Sequence, residues 1–399
     1  MLNIEKVRCI LLSSPYADAD DPEIKECFPN GPKRTIGMVE ITLDNGVTGL
    51  GEGYLAVFAP FVFKSIVELC TPQVLGKDGF NIDRRVKDLR SLCDYWSLQG
   101  AARHVISAFE IAFQDAKGKS LGKPVYELLG GAKAESIQIY GSGGCCDAKH
   151  QFLRELDLLE SKGIELYKIR SVKRDIHRTA WILEEAHKRG IKIGIDMCQN
   201  LADPPQAVED VVEFVDLVRA VSKRPILFLE EAIGPESPEG FKGLRRRIDI
   251  PVYGGEIITT PKEMIRRMKD GVYDGVQPDA SVVGGISAVM DIFEAAKATD
   301  TRVIVHAWGG AAAIMASYHA AFAGGGDLVE FPMLEFPLGA EMMADQGCID
   351  RGRLLLPTAP GIGVTLTPEM EARYPFDESA VYSCALIDFG PPPDEYWRQ

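Results

Sequence analysis

Asp196, Glu230, Glu256, Asp279 and His306 each close a short apolar, β-branched run: IKIGIDM, ILFLEE, VYGGE, GVQPDA and VIVHAW. They follow one another at intervals of 23 to 34 residues, the pitch of a repeating strand–helix unit. Three carboxylates at the ends of neighbouring strands repel one another strongly unless a cation sits among them. Hard oxygen donors suit Mg²⁺, which keeps coordination sites for water or substrate, and the same oxygens serve Mn²⁺. A lone acid at a strand end more often caps a helix or forms an ion pair. Three in phase point to metal on Asp196, Glu230 and Glu256. Glu231, one residue past Glu230, is expected on the opposite face by strand alternation, as a polar contact between core and helix.

His306 is one of six histidines and alone ends a strand-like run. The preceding run ends at Asp279, so parallel pairing makes the two side chains neighbours. A carboxylate that accepts one imidazole N–H fixes the tautomer and leaves the other nitrogen as a general acid/base. Lys168 and Arg170 end an earlier run, LYKIR, and two-residue spacing puts them on one side of it. There they are placed to hold and polarise an anionic substrate, although a Lys and an Arg at a strand end are often plain surface charges. Trp308, two residues after His306, shares its face and lines either the pocket or the barrel rim.

For these groups to meet, the runs must be neighbouring strands whose C-terminal ends converge. From about Ser136 the chain alternates strands (IQIYGS, LYKIR, IKIGIDM, ILFLEE, VYGGE, GVQPDA, TRVIVHAW, DLVEF) with amphipathic helical stretches such as RTAWILEEAHKRG. Eight strands with seven intervening helices favour a closed parallel barrel, whose active groups lie at one mouth. The eighth helix is missing, because GAEMMADQGCIDRGRLLLP reads as partly irregular. Before the barrel, RTIGMVEITL and VTGLGEGYLA flank Asp44-Asn45-Gly46, a tight-turn signal, and helical patterns follow, notably AARHVISAFEIAFQDAKGKSLG. The polar, Pro-rich stretch over 16–34 is long for an idle loop. The expected domains are 1–132, an N-terminal α+β unit; 133–355, the barrel; and 356–399, a segment crossing back onto the N-terminal unit.

The bulk properties narrow the partners. A chain of 399 residues with 46% apolar and 26% charged residues suits two globular domains. A formal charge of −14 argues against nucleic acid and anionic membranes, though not against a small anion beside a bound cation. There is no long apolar run and no basic-then-apolar leader, which predicts a cytoplasmic protein. The nine cysteines have no repeated C-x₂-C pairing, and Cys70 and Cys93 read as reduced, buried thiols.

The order Lys-x-Arg, Asp, Glu, Glu, Asp, His, Glu on successive strands, with the lead-in KPVYELLGG and the tail PGIGV, resembles the mandelate racemase group of the enolase superfamily over nearly the whole chain. The resemblance implies an α/β chain with a modified (β/α)₇β barrel under an α+β capping domain, which accounts for the missing helix. It implies Mg²⁺ on Asp196, Glu230 and Glu256, an Asp279–His306 dyad, and a strand-eight glutamate at Glu330, with Glu335 as runner-up. It also makes the 16–34 loop a specificity element, with Phe28, Lys33 and Arg34 reaching the ligand, and a homo-oligomer the expected assembly. Members of the group abstract the proton α to a carboxylate.

Arg170 departs from that group's pattern, in which a second lysine serves as base on the face opposite the histidine. A guanidinium is a poor proton acceptor at neutral pH. Chemistry with a single acid/base therefore fits better: His306 takes the α-proton and returns it to a leaving hydroxyl, dehydrating a sugar acid to a 2-keto-3-deoxy acid. The alternatives are a racemase, epimerase or lactone cycloisomerase, and a non-catalytic barrel that binds metal or a partner.

Overall fold

The computed structural model describes residues 1–17, 33–145, 148–334, 336–344, 346–380 and Trp397. Phe28 and Glu335, two of the candidates named above, lie outside the described residues. The chain opens with an antiparallel sheet of β1 (Ile4–Pro15), β2 (Lys33–Leu43) and β3 (Thr48–Glu52). β2 and β3 are joined by the expected turn, where Gly46 has φ 82° and donates to Leu43 O at 2.8 Å. Of three helices, α1 (Pro60–Cys70), α2 (Ile82–Cys93) and α3 (Ala101–Leu121), the first and third bury their apolar faces on this sheet, and α2 packs against α3. Val39, Ile41, Phe63, Ile66, Val105 and Phe109 form part of that core, together with the free thiols of Cys70 and Cys93.

The barrel strands are β4 (Ser136–Ser142), β5 (Leu166–Arg170), β6 (Lys192–Asp196), β7 (Ile226–Glu230), β8 (Val252–Gly254), β9 (Gly275–Val276), β10 (Arg302–Val303) and β11 (Leu328–Pro332). They pair in parallel from β4 through β10; β11 pairs with β4, and the bridge Val305↔Val329 closes the ring. Seven helices follow the first seven strands: α4 (Lys149–Ser161), α5 (Ile176–Lys188), α6 (Val208–Val221), α7 (Pro238–Arg245), α8 (Pro261–Lys269), α9 (Ile286–Ala296) and α10 (Ala311–Gly324). After β11, among the described residues, come the short helix Pro337–Met343, a small hairpin, Ile349–Asp350 with Arg353–Leu355, which pairs with the start of β4, and the short helix Pro368–Arg373.

Alternation along the strands aims the functional side chains. The barrel interior is plugged by Tyr140, Leu166, Phe228, Tyr253, Ile304 and Leu328, with Phe228 stacked on Tyr253 at 4.9 Å between centroids. Two residues beyond four of these plugs stand Lys168, Glu230, His306 and Glu330, so each inherits the inward direction and emerges above the apolar layer. Ile137, Ile139, Tyr167, Ile169 and Leu229, of the other parity, pack outward into the main core under the helices.

Three strands are shorter than the sequence patterns predict. β8 stops at Gly254, β9 at Val276 and β10 at Val303. Glu256, Asp279 and His306 therefore sit on the loops just beyond their strands. Gly255, with φ 104°, ends the pairing of β8, and Pro278, which has no N–H to give a ladder, lies just past β9.

Two buried carboxylates of the first domain fasten it to the barrel. Glu110 on α3 accepts from Ile286 N at 2.7 Å and Ser287 N at 3.1 Å, at the start of α9. Glu52, the last residue of β3, accepts from Gly310 N at 2.7 Å and Ala313 N at 3.2 Å, at the start of α10. Each satisfies N–H groups that a helix leaves without internal partners, and each places negative charge at the positive end of the helix dipole.

The late chain returns to the first domain through Glu371, which pairs with Arg8 at 2.8 Å, and through the bridge Leu12↔Pro375. Trp397 departs from the expectation that the whole segment 356–399 packs there. It is buried on the barrel, against Phe152 of α4 and Trp181 of α5, with the Lys149 ammonium over its ring at 5.6 Å. Aromatic and cation–π contact on this rim gives an indole the partners it needs. No described helix is long and apolar enough to cross a membrane.

His319, fully buried on α10, gives the fold a pH signature. It stacks on Tyr126 and accepts from Tyr126 N at 3.3 Å. Burial pulls its pKa down to about 4, from 6.5. The unfolded chain takes up this proton as pH falls below 6.5, whereas the folded chain stays neutral until about 4. Stability is therefore lost across that window, by about 1.4 kcal/mol per pH unit from this residue. His319→Asn, which keeps an acceptor for Tyr126 N, is expected to flatten the slope of urea-unfolding free energy between pH 6.5 and 4 relative to wild type. Parallel slopes would remove His319 as the cause.

Candidate active site at the barrel mouth

Above the apolar plug lies a buried, polar floor. The Lys168 ammonium sits between Glu230 and Glu330, touching the former and lying 2.8 Å from Glu330 Oε1. All three are essentially inaccessible to water. Burial works against the charge on Lys168, but Glu230 and Glu330 hold its pKa well above the usual lysine value. Burial likewise pushes Glu330 up, and Lys168 and His306 more than reverse this and keep it ionised. Gln277 donates its amide N–H to the other oxygen of Glu230, and Glu330 Oε2 accepts from Ala307 N at 3.0 Å.

His306 and Asp279 form a buried pair, Nδ1 to Oδ2 at 2.7 Å. A carboxylate acceptor assigns the proton to Nδ1, leaving Nε2 toward the mouth, 3.4 Å from Glu256 Oε2 and 3.7 Å from Glu330 Oε2. Burial alone lowers the imidazole pKa; Glu330, Glu256 and Asp279 together raise it to about 10. Asp279 is in turn fixed by Ser281, whose N and Oγ both donate to Oδ1 at 2.7 Å.

On the other side of the mouth, Arg170 lies over the Trp308 ring at 4.8 Å and donates from Nη1 to Gly143 O at 2.6 Å. Its Nε is 3.8 Å from Asp196 Oδ2. Arg34 approaches the same indole from the first domain, at 5.7 Å, within a cage completed by Tyr54 and Phe336. Lys33 does not join them: it points to the late segment and pairs with Asp377 at 2.9 Å, so its expected reach toward a ligand is not what the geometry gives.

Asp196 and Glu230 are register partners on β6 and β7, and Glu256 follows β8. Among the described residues, no three His, Cys, Asp or Glu side chains close on one point as a metal cage. Each acid is turned to a protein donor instead. Glu230 faces Lys168 and Gln277; Glu256 accepts from Asn200 at 2.6 Å; Asp196 accepts from Cys198 N at 2.8 Å. The donor set nonetheless fits a divalent cation. Six carboxylates (Asp196, Glu230, Glu231, Glu256, Asp279, Glu330) share the mouth with three cations (Lys168, Arg170, Arg34) and one histidine. Burial first, then the neighbouring acids, pushes Glu230 and Glu231 up to about 8 and Glu256 also upward. That surplus of buried negative charge, presented on oxygen alone, is what a hard cation neutralises.

Glu231 is where strand alternation misleads. Its φ of 40° breaks the pleat, and its Oε1 accepts from Gly255 N at 2.6 Å, at the end of β8. It joins the acidic cluster; it does not turn to the helices. Gln277 and Asn200, which hold Glu230 and Glu256, were not singled out as site residues, and the adjacency of Gln277 to the Asp279 run was the one available signal.

A capping α+β unit over a (β/α)₇β barrel, with acids, lysine and histidine at the strand ends, defines an enolase-type fold. Residues 151–370 match the family model "Enolase C-terminal domain-like", and residues 26–130 that of the "Mandelate racemase / muconate lactonizing enzyme, N-terminal domain". The chain belongs to the mandelate racemase/muconate lactonizing enzyme family of the enolase superfamily. It is 28% identical over 347 residues to arabinonate dehydratase of Saccharolobus solfataricus, covering 85% of this chain and 90% of that protein. It is 29% identical over 353 residues to L-rhamnonate dehydratase of Saccharopolyspora erythraea, covering 85% of each. Among solved structures it resembles the 3,6-anhydro-D-galactonate cycloisomerase of Zobellia galactanivorans, with a TM-score of 0.80 and 27% identity over 93% of this chain and 99% of that one.

Proposed function

We propose that this chain is a hydro-lyase that dehydrates an acid sugar to a 2-keto-3-deoxy acid, with His306 as its only acid/base. The observation that carries this reading is the asymmetry of the mouth. His306, oriented by Asp279, stands on one side; on the other, Lys168 and Arg170 are both held as cations. Burial disfavours charge on Arg170, but Cys145 and Asp196 hold its pKa well above that of a free guanidinium. Two-base inversion needs a proton acceptor on each face of the α-carbon, and syn elimination needs one.

In this reading Asp196, Glu230 and Glu256 would hold Mg²⁺, with Mn²⁺ as a substitute. When bound, the ion supplies positive charge to the substrate carboxylate as the enediolate develops. Lys168 adds a second positive charge from the floor. His306, oriented by Asp279 through Nδ1, presents Nε2 toward the mouth, and in this reading Nε2 takes the α-proton. The imidazolium then gives that proton to the 3-hydroxyl as it leaves as water. Arg170, Trp308 and Arg34 form the wall along which the rest of the substrate lies. The dehydratase relatives support this class of reaction. The cycloisomerase neighbour supports the runner-up, lactone cycloisomerisation, which also uses one proton-transfer side.

Incubation with a library of mono- and diacid sugars and Mg²⁺, followed by semicarbazide detection of keto acid, tests the reaction. Keto acid from at least one member is expected. Isomer formation or α-proton exchange without keto acid would refute dehydration. Asp196→Asn is expected to weaken Mg²⁺ binding by more than about tenfold, the scale seen even for outer partners of metal ligands. Calorimetric titration checks this, and unchanged affinity would remove Asp196 from the ligand set.

A further inference from the structure

Glu52 belongs to the capping domain and touches no reacting group, yet it reaches the segment that carries His306. Its two oxygens accept from Gly310 N at 2.7 Å and Ala313 N at 3.2 Å, four and seven residues after the histidine. The side chain is buried. The approach is close enough to dictate sequence: a Cβ on Gly310 would lie 2.7 Å from Glu52 Oε2, and one on Gly309, whose φ is 132°, 3.2 Å from Oε1. Two residues on, the same strand end touches the other half of the dyad. Tyr54 N approaches Ser281 O at 3.5 Å, beside the serine that fixes Asp279, and the Tyr54 ring stands edge-on to His306 at 6.4 Å.

The upstream end of the His306 segment is already held by the barrel, through His306 N to Pro278 O at 3.0 Å and Ala307 N to Glu330. Its downstream end has Glu52. We infer that Glu52 is a positioning residue for proton transfer: by gripping the start of α10 from the capping domain, it sets the orientation of the His306–Asp279 pair. The cap thus assembles the base as well as covering the substrate. The inference rests on the reading of His306 as the acid/base.

Two readouts keep this separate from the fate of that reading. The first needs no substrate. The Nδ1 proton shared with Asp279 gives a far-downfield ¹H resonance, assigned by its loss in His306→Asn. Glu52→Ala and Gly310→Ala are each expected to shift or broaden it, because one removes the grip and the other drives a methyl group into the carboxylate. In the double variant the carboxylate contacts at 2.7 and 3.0 Å are gone and the Ile36 side chain at 3.0 Å remains, so Gly310→Ala should add less to Glu52→Ala than it costs alone. The second uses whichever acid wild type converts to keto acid, deuterated at the α-carbon. In Glu52→Ala and Glu52→Gln, kcat is expected to fall by about ten- to a hundredfold, the scale for a displaced catalytic group, with a raised deuterium effect. KM should change by no more than about twofold.

Measured well below each variant's unfolding temperature, an unmoved resonance and unchanged kcat would overturn the inference and leave Glu52 a plain interdomain anchor. Additive effects of Glu52→Ala and Gly310→Ala would overturn it too. A moved resonance in an enzyme that converts no acid in the library would sustain the positioning role and sink the dehydratase reading instead.

Discussion

His306→Asn is expected to abolish keto-acid formation, with kcat falling by about a thousandfold or more, toward the upper end of what acid–base catalysis contributes. Asparagine can still donate to Asp279 from its amide, so the 2.7 Å contact has a substitute and the fold is spared. What is lost is an atom able to take a proton and return it. Mg²⁺ affinity, read by calorimetry, should stay close to wild type, because the amide neither adds to nor removes from the acids at Asp196, Glu230 and Glu256. Full turnover in this variant would end the single-base mechanism. Lost turnover together with lost metal binding would mean that the substitution collapsed the mouth.

Lys168→Met is expected to be the most damaging change to the fold as well as to activity. It leaves Glu230 and Glu330 buried without their shared cation, a situation that costs about 3–5 kcal/mol in buried ion pairs. The pH dependence has a definite sign. With Lys168 gone, both carboxyls should titrate above their unfolded values, so the folded state binds protons that the unfolded state has released. The variant therefore gains stability relative to wild type as pH falls through those raised values, and is worst above them. Mg²⁺ should recover more stability in the variant than in wild type, since a cation among the acids replaces part of the missing charge. Equal unfolding free energies for the two proteins at pH 8 would show that Lys168 is not the counter-ion of this floor.

Much of this architecture is legible in the chain because a strand repeats every two residues. Leu166 below Lys168, Phe228 below Glu230, Ile304 below His306 and Leu328 below Glu330 are apolar for the same reason that their successors are functional: all face the barrel axis. The legible part ends where the pleat does. Glu231 was placed on the wrong side because a φ of 40° cannot be read from an EE doublet. Glu256, Asp279 and His306 were read as strand ends but stand on loops, since alternation says nothing about where pairing stops. Residues that serve the site from another element leave no local signal at all. Asn200 holds Glu256 across 56 residues, and Glu52 meets Gly310 across 258. In sequence Glu52 is one more polar residue within a strand-like run. Lys33, expected near the ligand, pairs here with Asp377, a partner far along the chain that its own neighbourhood in sequence does not announce.

The cap–barrel seam also bears on how such enzymes can be rebuilt. Capping domains look like exchangeable modules, and grafting one from a relative is a tempting way to change substrate range. Here the seam is keyed. Glu110 needs the exposed N–H groups that open α9, and Glu52 needs two consecutive glycines before α10. A foreign cap without an acceptor at position 52 would leave the first N–H groups of α10 without this partner, and a foreign barrel with a side chain at position 310 would crowd this cap. Productive chimaeras must therefore exchange both halves of each key, or leave the seam intact and vary only cap residues away from it.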